Sequence, residues 1–210
     1  MAHKPPTPLL IFPCNGNAVE ALDCLGDEYL MIGFVDDTPD KQGTSRFGFP
    51  VLPRAALLEH PSAQVLAVPG SPMSYRGRQS VIDGLGIDAD RFARVIHPMA
   101  RVSGLARIGH NVLIMAGVVI TSNAVIGDHV CLLPNTVIHH DVMIGDWTLV
   151  GSNVSIAGNV RVASNCYVGS GARIINGIDI GKRALLGLGS NVLHSVLPDT
   201  TVVGNPAYQL

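Results

Sequence analysis

Of the eight histidines in the chain, His140 is the one followed directly by a carboxylate, in His139-His140-Asp141. A neutral imidazole, with an ordinary pKa of about 6.5, takes up a proton at neutral pH, and an adjacent aspartate orients the ring and stabilises the imidazolium. That chemistry suits a reaction in which an attacking amine or hydroxyl must shed a proton. Gly158 lies 18 residues beyond His140, and its bare backbone N–H could donate to a developing oxyanion. Nearer the N-terminus, Asp36-Asp37 could accept hydrogen bonds from a base or ribose. The four cysteines, Cys14, Cys24, Cys131 and Cys166, form no C-x-x-C pair and no short spacing with histidine. They are expected to be reduced, buried thiols, and no metal site is expected.

The elements that position these residues are written in a repeat of period six. Stepping by six from Ile96 through Ile138 to Val192 gives 17 positions, every one Ile, Leu or Val. If one position in three were aliphatic by chance, such a run would have odds of about one in 10⁸. Four residues after each lies a second register of small or β-branched residues, Thr136, Thr148, Cys166 and Ala172 among them. Period six is neither the helical 3.6 nor simple alternation. It fits short strands joined by tight corners, with three hexapeptides making one 18-residue coil whose aliphatic residues stack on those of the next coil. His140 falls two positions after inward Ile138 and so projects outward, Gly158 repeats its phase one coil later, and Cys166 points inward, which disfavours a covalent acyl-cysteine route.

Charged residues make up 14% of the 210 and the formal charge is −2, so neither nucleic acid nor an anionic membrane surface is an expected partner. Mean hydropathy is +0.34, yet the longest stretch free of Asp, Glu, Lys, Arg and His, 111–127, contains four polar side chains and falls short of a span of ~20 apolar residues. The apolar run 9–12 is shorter than the 7–15 residues of a typical signal-peptide core. A cytoplasmic location is expected.

The repeat resembles the hexapeptide-repeat, left-handed parallel β-helix acyltransferases. The closing Leu197-Pro198-Asp199 through Val203-Gly204-Asn205-Pro206-Ala207 to Leu210 is similar to the ending of many of them. This resemblance implies homotrimers with acyl-CoA bound between neighbouring helices, and the low charge content agrees with a large interface. Residues 93–210 are assigned to the β-helix, the acetyl-CoA-binding and catalytic domain.

Residues 1–92 follow another pattern. Apolar strands are expected at 9–12, 30–35 and 64–68, with helical stretches at 18–25, 54–59 and 75–85, a small Rossmann-like βαβαβ unit with a parallel sheet. Ligands of such sheets bind at the C-terminal strand ends, which selects Asn15, Gly16, Asn17, Asp36, Asp37 and Gly70. The chain resembles sugar O-/N-acyltransferases of the sialic-acid O-acetyltransferase and UDP-amino-sugar N-acetyltransferase (PglD-like) type, whose N-terminal domain holds the sugar nucleotide. Its first turn departs from that pattern: Pro13, Cys14 and Asn17 stand where Gly, a small residue and His are usual.

The resemblance carries the general base to His140, with Asp141 raising its basicity, and acetyl-CoA contacts to Leu149, Ser170 and Leu188, where relatives place a second His at the position of Leu149. Gly169 and Gly187 leave room for the pantetheine arm. The implied activity is acetyl-CoA-dependent N-acetylation of a nucleotide-linked amino sugar for surface-glycan synthesis. A sugar O-acetyltransferase and a non-catalytic, sugar-nucleotide-binding β-helix are the alternatives.

Overall fold

The computed structural model describes residues 5–210. The N-terminal part is a five-stranded sheet of β1 (Thr7–Phe12), β2 (Tyr29–Val35), β3 (Ser45–Arg46), β4 (Phe49–Leu52) and β5 (Gln64–Ala67), in the order β3-β4-β2-β1-β5. All pairings are parallel except β3 with β4. That hairpin was not expected from the sequence; it turns on Phe47 and Gly48, both at positive φ (52° and 83°), the backbone that a two-residue hairpin turn requires. The helices are short: α1 (Gly16–Glu20) runs into a 3₁₀ turn at Ala21–Cys24, α2 is Ala56–Glu59, and α3 (Arg78–Asp83) follows a 3₁₀ turn at Tyr75–Gly77. Because β1 leads outward to β2 on one side and has β5 on the other, the sheet reverses its winding between β1 and β5, where open α/β sheets form their ligand crevice.

From Arg94 the chain winds as a left-handed β-helix with three sheets, parallel throughout except where Tyr208–Gln209 closes one of them antiparallel to Thr201–Val203. Face F1 contains Val112–Ile114, Cys131–Leu132, Leu149–Val150, Tyr167–Val168 and Leu185–Leu186; face F2 contains Val119–Ile120, Val137–Ile138, Ser155–Ile156 and Arg173–Ile174; face F3 contains Val125–Ile126, Met143–Ile144, Arg161–Val162 and Asp179–Ile180. Partners lie 18 residues apart, as Ile120↔Ile138↔Ile156, so the last residue of each of these strands stacks inside on its own kind and is almost fully buried. The two threonines of the second register are satisfied in place: the Thr136 hydroxyl donates to the Gly151 carbonyl at 2.7 Å and accepts from the Val154 N–H at 3.2 Å, and Thr148 does the same with Ala163 and Cys166, whereas the buried Ser190 hydroxyl has no partner among the described residues.

The strict period ends in the last coil. Val196, expected in the second register, instead pairs with Ile180 as a strand residue, and Val202 pairs with Leu186, each 16 residues on, because the corner after Val192 has lost two residues.

Each corner needs one residue in the left-handed region, and the sequence supplies it in columns. The F2/F3 corner uses Asn123, Asp141, Asn159 and Gly177, and the F3/F1 corner uses Asn111, His129, Trp147, Asn165 and Arg183. Asparagine, aspartate and glycine reach this conformation at least cost.

The F3/F1 column docks the N-terminal sheet. The buried amide of Asn111 accepts from the Ala67 N–H at 2.7 Å and donates to the Ala67 carbonyl at 2.9 Å, as a neighbouring strand would at the edge of β5. Arg78, 1% exposed, donates to the carbonyls of Pro69, His129 and Trp147. Phe92 stands edge-on to His129, which stacks on Trp147 at 5.7 Å. The Asn165 amide donates to the Arg76 carbonyl, and the Tyr75 hydroxyl to that of Arg183, both at 2.9 Å. Among the described residues no helix is long and apolar enough to cross a membrane.

Candidate active site

His140 and Asp141 lie on the F2/F3 corner with side chains 58% and 46% exposed, and the His140 Nδ1 is 2.8 Å from an Asp141 carboxylate oxygen. An ionised carboxylate can only accept, so Nδ1 carries the proton and Nε2 presents its lone pair. The hydrogen bond from His140, and after it one from the Asn123 amide, hold the Asp141 carboxyl below the usual carboxylate range. The ring lies over Gly158 of the next coil. A Cβ there would meet the His140 Cε1 and Nε2 at 2.5 Å, so glycine is what lets the imidazole lie down. Among the described residues the Gly158 N–H has no protein acceptor, whereas the N–H groups of its neighbours Ala157 and Asn159 are bonded to Ile174 and His140 carbonyls. An unsatisfied donor thus sits beside the free nitrogen of a base, the arrangement that addition to a carbonyl group uses.

A second feature opens at the sheet reversal. A cleft of about 180 Å³ is lined by Asn17, Gly70, Ser71 and Pro72 from the N-terminal part and by Leu133, Leu149 and Tyr167 from F1, with Gly151 at its edge. Gly70 has φ +114°, and a Cβ would meet Arg78 at 2.9 Å and Leu149 at 3.1 Å; glycine is required on both counts.

The structure divides the residues selected at the strand ends. Asn17 and Gly70 line the cleft, and Gly16 is exposed at the start of α1. Asn15 caps α1, accepting from Ala18 and donating to the Val68 carbonyl. The expectation that both aspartates face a ligand needs correction at Asp36. Its carboxylate is 2% exposed and accepts from the Cys14 and Thr38 N–H groups and the Lys41 ammonium, so it joins the loops that follow β1 and β2. Burial pushes its pKa up, but these hydrogen bonds outweigh burial and hold it below the usual range. Asp37, exposed, pairs with Arg54.

Of the residues expected to contact acetyl-CoA, Gly169, Ser170, Gly187 and Leu188 gather at the F1/F2 corner of the last coils, with Leu188 75% exposed. The Ser170 hydroxyl accepts from the Ser152 N–H at 3.0 Å. Leu149 differs. It is 5% exposed, on F1 beneath the N-terminal part, and belongs to the cleft rather than to that corner. Ser71, which follows Gly70 at the same strand end, also lines the cleft, and Tyr167, likewise in it, was not singled out in the sequence. A signal for F1 existed, since its outward positions Leu113, Cys131, Leu149, Tyr167 and Leu185 are all apolar or thiol, the mark of a covered face. Burial pushes the Cys166 thiol up to about 11, and it is inward as the register requires. No group of three or more His, Cys, Asp or Glu placed to hold a metal occurs among the described residues.

Comparison with known proteins places this geometry. A family profile described as bacterial transferase hexapeptide (six repeats) matches residues 105–140 and 123–158. Comparison with curated protein sequences finds no match. Among solved structures, PerB from Caulobacter crescentus in complex with CoA and GDP-perosamine is 27% identical, with full coverage of both chains and a TM-score of 0.83. A variant of the Caulobacter crescentus perosamine N-acetyltransferase with a histidine replaced by asparagine, bound to the same ligands, is 26% identical, covering 100% of this chain and 99% of that one, at a TM-score of 0.84. The acetyltransferase domain of PglB from Neisseria gonorrhoeae in complex with acetyl coenzyme A is 25% identical, covering 98% of this chain and 100% of that one, at 0.83. The chain thus carries a hexapeptide repeat and is similar in architecture, over its whole length, to PerB and to the acetyltransferase domain of PglB.

Proposed function

We propose that the protein is an acetyl-CoA-dependent N-acetyltransferase that acts on the amine of a nucleotide-linked amino sugar, with His140 as general base. The observation that carries this reading is the His140–Asp141 pair lying over Gly158, with Nε2 free and an unsatisfied N–H beside it. As the amine nitrogen bonds to the thioester carbonyl carbon, Nε2 takes the proton that the nitrogen must lose, and Asp141 stabilises the resulting imidazolium. The Gly158 N–H donates to the oxyanion. On collapse the carbon–sulfur bond breaks, and the imidazolium returns its proton to the departing thiolate. Relatives that bind CoA and GDP-perosamine support the choice of both substrates.

The reading extends to a cytoplasmic homotrimer. His140 stands at the F2/F3 corner, and the cleft with Asn17 and Gly70 opens on F1, the face opposite that corner in a three-sided prism. One side of the prism takes a hexapeptide, roughly 15–20 Å at ~3.3 Å per residue, so a sugar seated in the cleft is out of reach of its own chain's His140. The corner of a neighbouring chain supplies the base. Outward Val119 and Val137 on F2 and Val125 and Met143 on F3 flank that corner, an apolar surface suited to burial between copies. Asn17, Gly70 and Leu149 then hold the sugar nucleotide, with Asn15, Gly16 and Asp36 shaping the turns and Asp37 at the rim. Gly169, Ser170, Gly187 and Leu188 flank the pantetheine arm.

The test is CoA release from acetyl-CoA with UDP-, GDP-, TDP- and CMP-linked sugars, each with and without a free amine, alongside thermal shifts that report binding. Release confined to an amino-sugar nucleotide is expected. Release only with hydroxyl acceptors would make the protein an O-acetyltransferase, and binding without release a non-catalytic module.

A further inference from the structure

We infer that Asn123 is a positioning residue for the base: from the preceding coil it pins the free oxygen of Asp141, so that the carboxylate keeps its hold on His140. The inference rests on the reading of His140 as the general base. It starts from the F2/F3 column Asn123, Asp141, Asn159 and Gly177, whose φ values are 60°, 59°, 61° and 73°. The backbone there calls for a residue at ease in the left-handed region, and asparagine meets that need in the coils on either side. A carboxylate at 141 is therefore not demanded by the fold. Its two oxygens are divided: Oδ2 is 2.8 Å from the His140 Nδ1, and Oδ1 accepts from the Asn123 Nδ2 at 3.3 Å. With nearly half of its side chain exposed, Asp141 needs this second anchor to stay in the plane that the imidazole requires. The coil before brings Ser122 to this corner, whose carbonyl accepts from the Asp141 N–H, and the coil after brings Gly158 and Asn159. None of these titrates, so His139 is the adjacent ionisable neighbour of the pair.

The experiment uses Asn123→Gly, which deletes the amide while keeping a residue suited to positive φ, and Asn123→Asp, which keeps the shape and adds a charge. Asn135→Gly, at φ +61° on another corner, controls for a glycine substitution in the coil. In the full-length enzyme, Asn123→Gly is expected to lower kcat about 3–10-fold with KM values within about two-fold of wild type. The acidic limb of the kcat/KM–pH profile should move to lower pH in Asn123→Gly, where the carboxylate is loosened, and to higher pH in Asn123→Asp, where negative charge is added. A merely structural role would not give opposite signs. Nitrogen NMR of His140 provides a readout that does not depend on turnover, and the share of the Nδ1–H tautomer should fall in Asn123→Gly.

Unchanged pH profiles and an unchanged tautomer share, with His140→Ala inactive, would overturn the role of Asn123 and leave the base in place. Full activity of His140→Ala would instead remove the catalytic reading, with the tautomer share still deciding whether Asn123 fixes the ring.

Discussion

Two columns of the β-helix share one backbone device and put it to opposite uses. At the F3/F1 corner the left-handed residues Asn111, His129, Trp147 and Asn165 are turned toward the N-terminal part and consumed in docking it, through side-chain amides, stacked rings and carbonyls taken up by Arg78. At the F2/F3 corner the same conformation occurs in Asn123, Asp141 and Asn159, but no other part of the same chain covers the column, and His140 and Asp141 remain accessible to a substrate. The corner chemistry sets which residue types can stand there. What lies over the corner decides whether they hold the molecule together or act on a substrate. Asp141 is the informative departure, because asparagine would satisfy the backbone equally well.

The largest effect expected from breaking the docked column is at Arg78. Arg78→Ala strands the carbonyls of Pro69, His129 and Trp147 and leaves a cavity, so unfolding should cost about 3–5 kcal/mol less than in wild type. Chemical denaturation reads this, and a loss under about 1 kcal/mol would mean that the arginine does not lock the two parts. At the exposed column the corresponding break is Gly158→Ala. Its methyl would meet the imidazole at 2.5 Å and push it aside, lowering kcat about 10–100-fold at nearly unchanged stability. Wild-type turnover in that variant would show that the ring need not lie over the next coil.

The smallest effect sharpens the contrast within the N-terminal part. Asp36 has a folded pKa below its unfolded value, so its contribution is present above the unfolded pKa of about 3.9 and is lost as pH falls through the folded value. Asp36→Asn should be less stable than wild type by about 1–2 kcal/mol at pH 7, with the difference closing below about pH 4. A difference that persists undiminished in acid would refer the effect to shape rather than charge.

The two regions also differ in how far the sequence discloses them. The β-helix follows from local rules repeated coil after coil, so Ile120, Ile138 and Ile156 announce both strand and stacking. The rule fails only where a corner loses two residues, at Val196. The outward phase of His140 and its register with Gly158 were legible for the same reason. In the N-terminal part the β3–β4 hairpin escaped notice because its strands are two and four residues long and its signal is a single Phe47-Gly48 turn. The inward turn of Asp36 depends on Lys41 and Cys14, and the placement of Leu149 in the cleft depends on Gly70. Those contacts across loops and between the two parts have no periodic signature. The Asn123 contact was hidden for a related reason, since asparagine there looks like any other corner residue.

The most direct test of the central claim is the rate of CoA release by His140→Ala from acetyl-CoA and a GDP- or UDP-linked amino sugar that the wild-type enzyme acetylates, with KM and assembly state measured alongside. A fall in kcat of about 10²–10⁴-fold, with assembly and substrate binding intact, is the expected result. Turnover equal to wild type would contradict the assignment of His140 as the base.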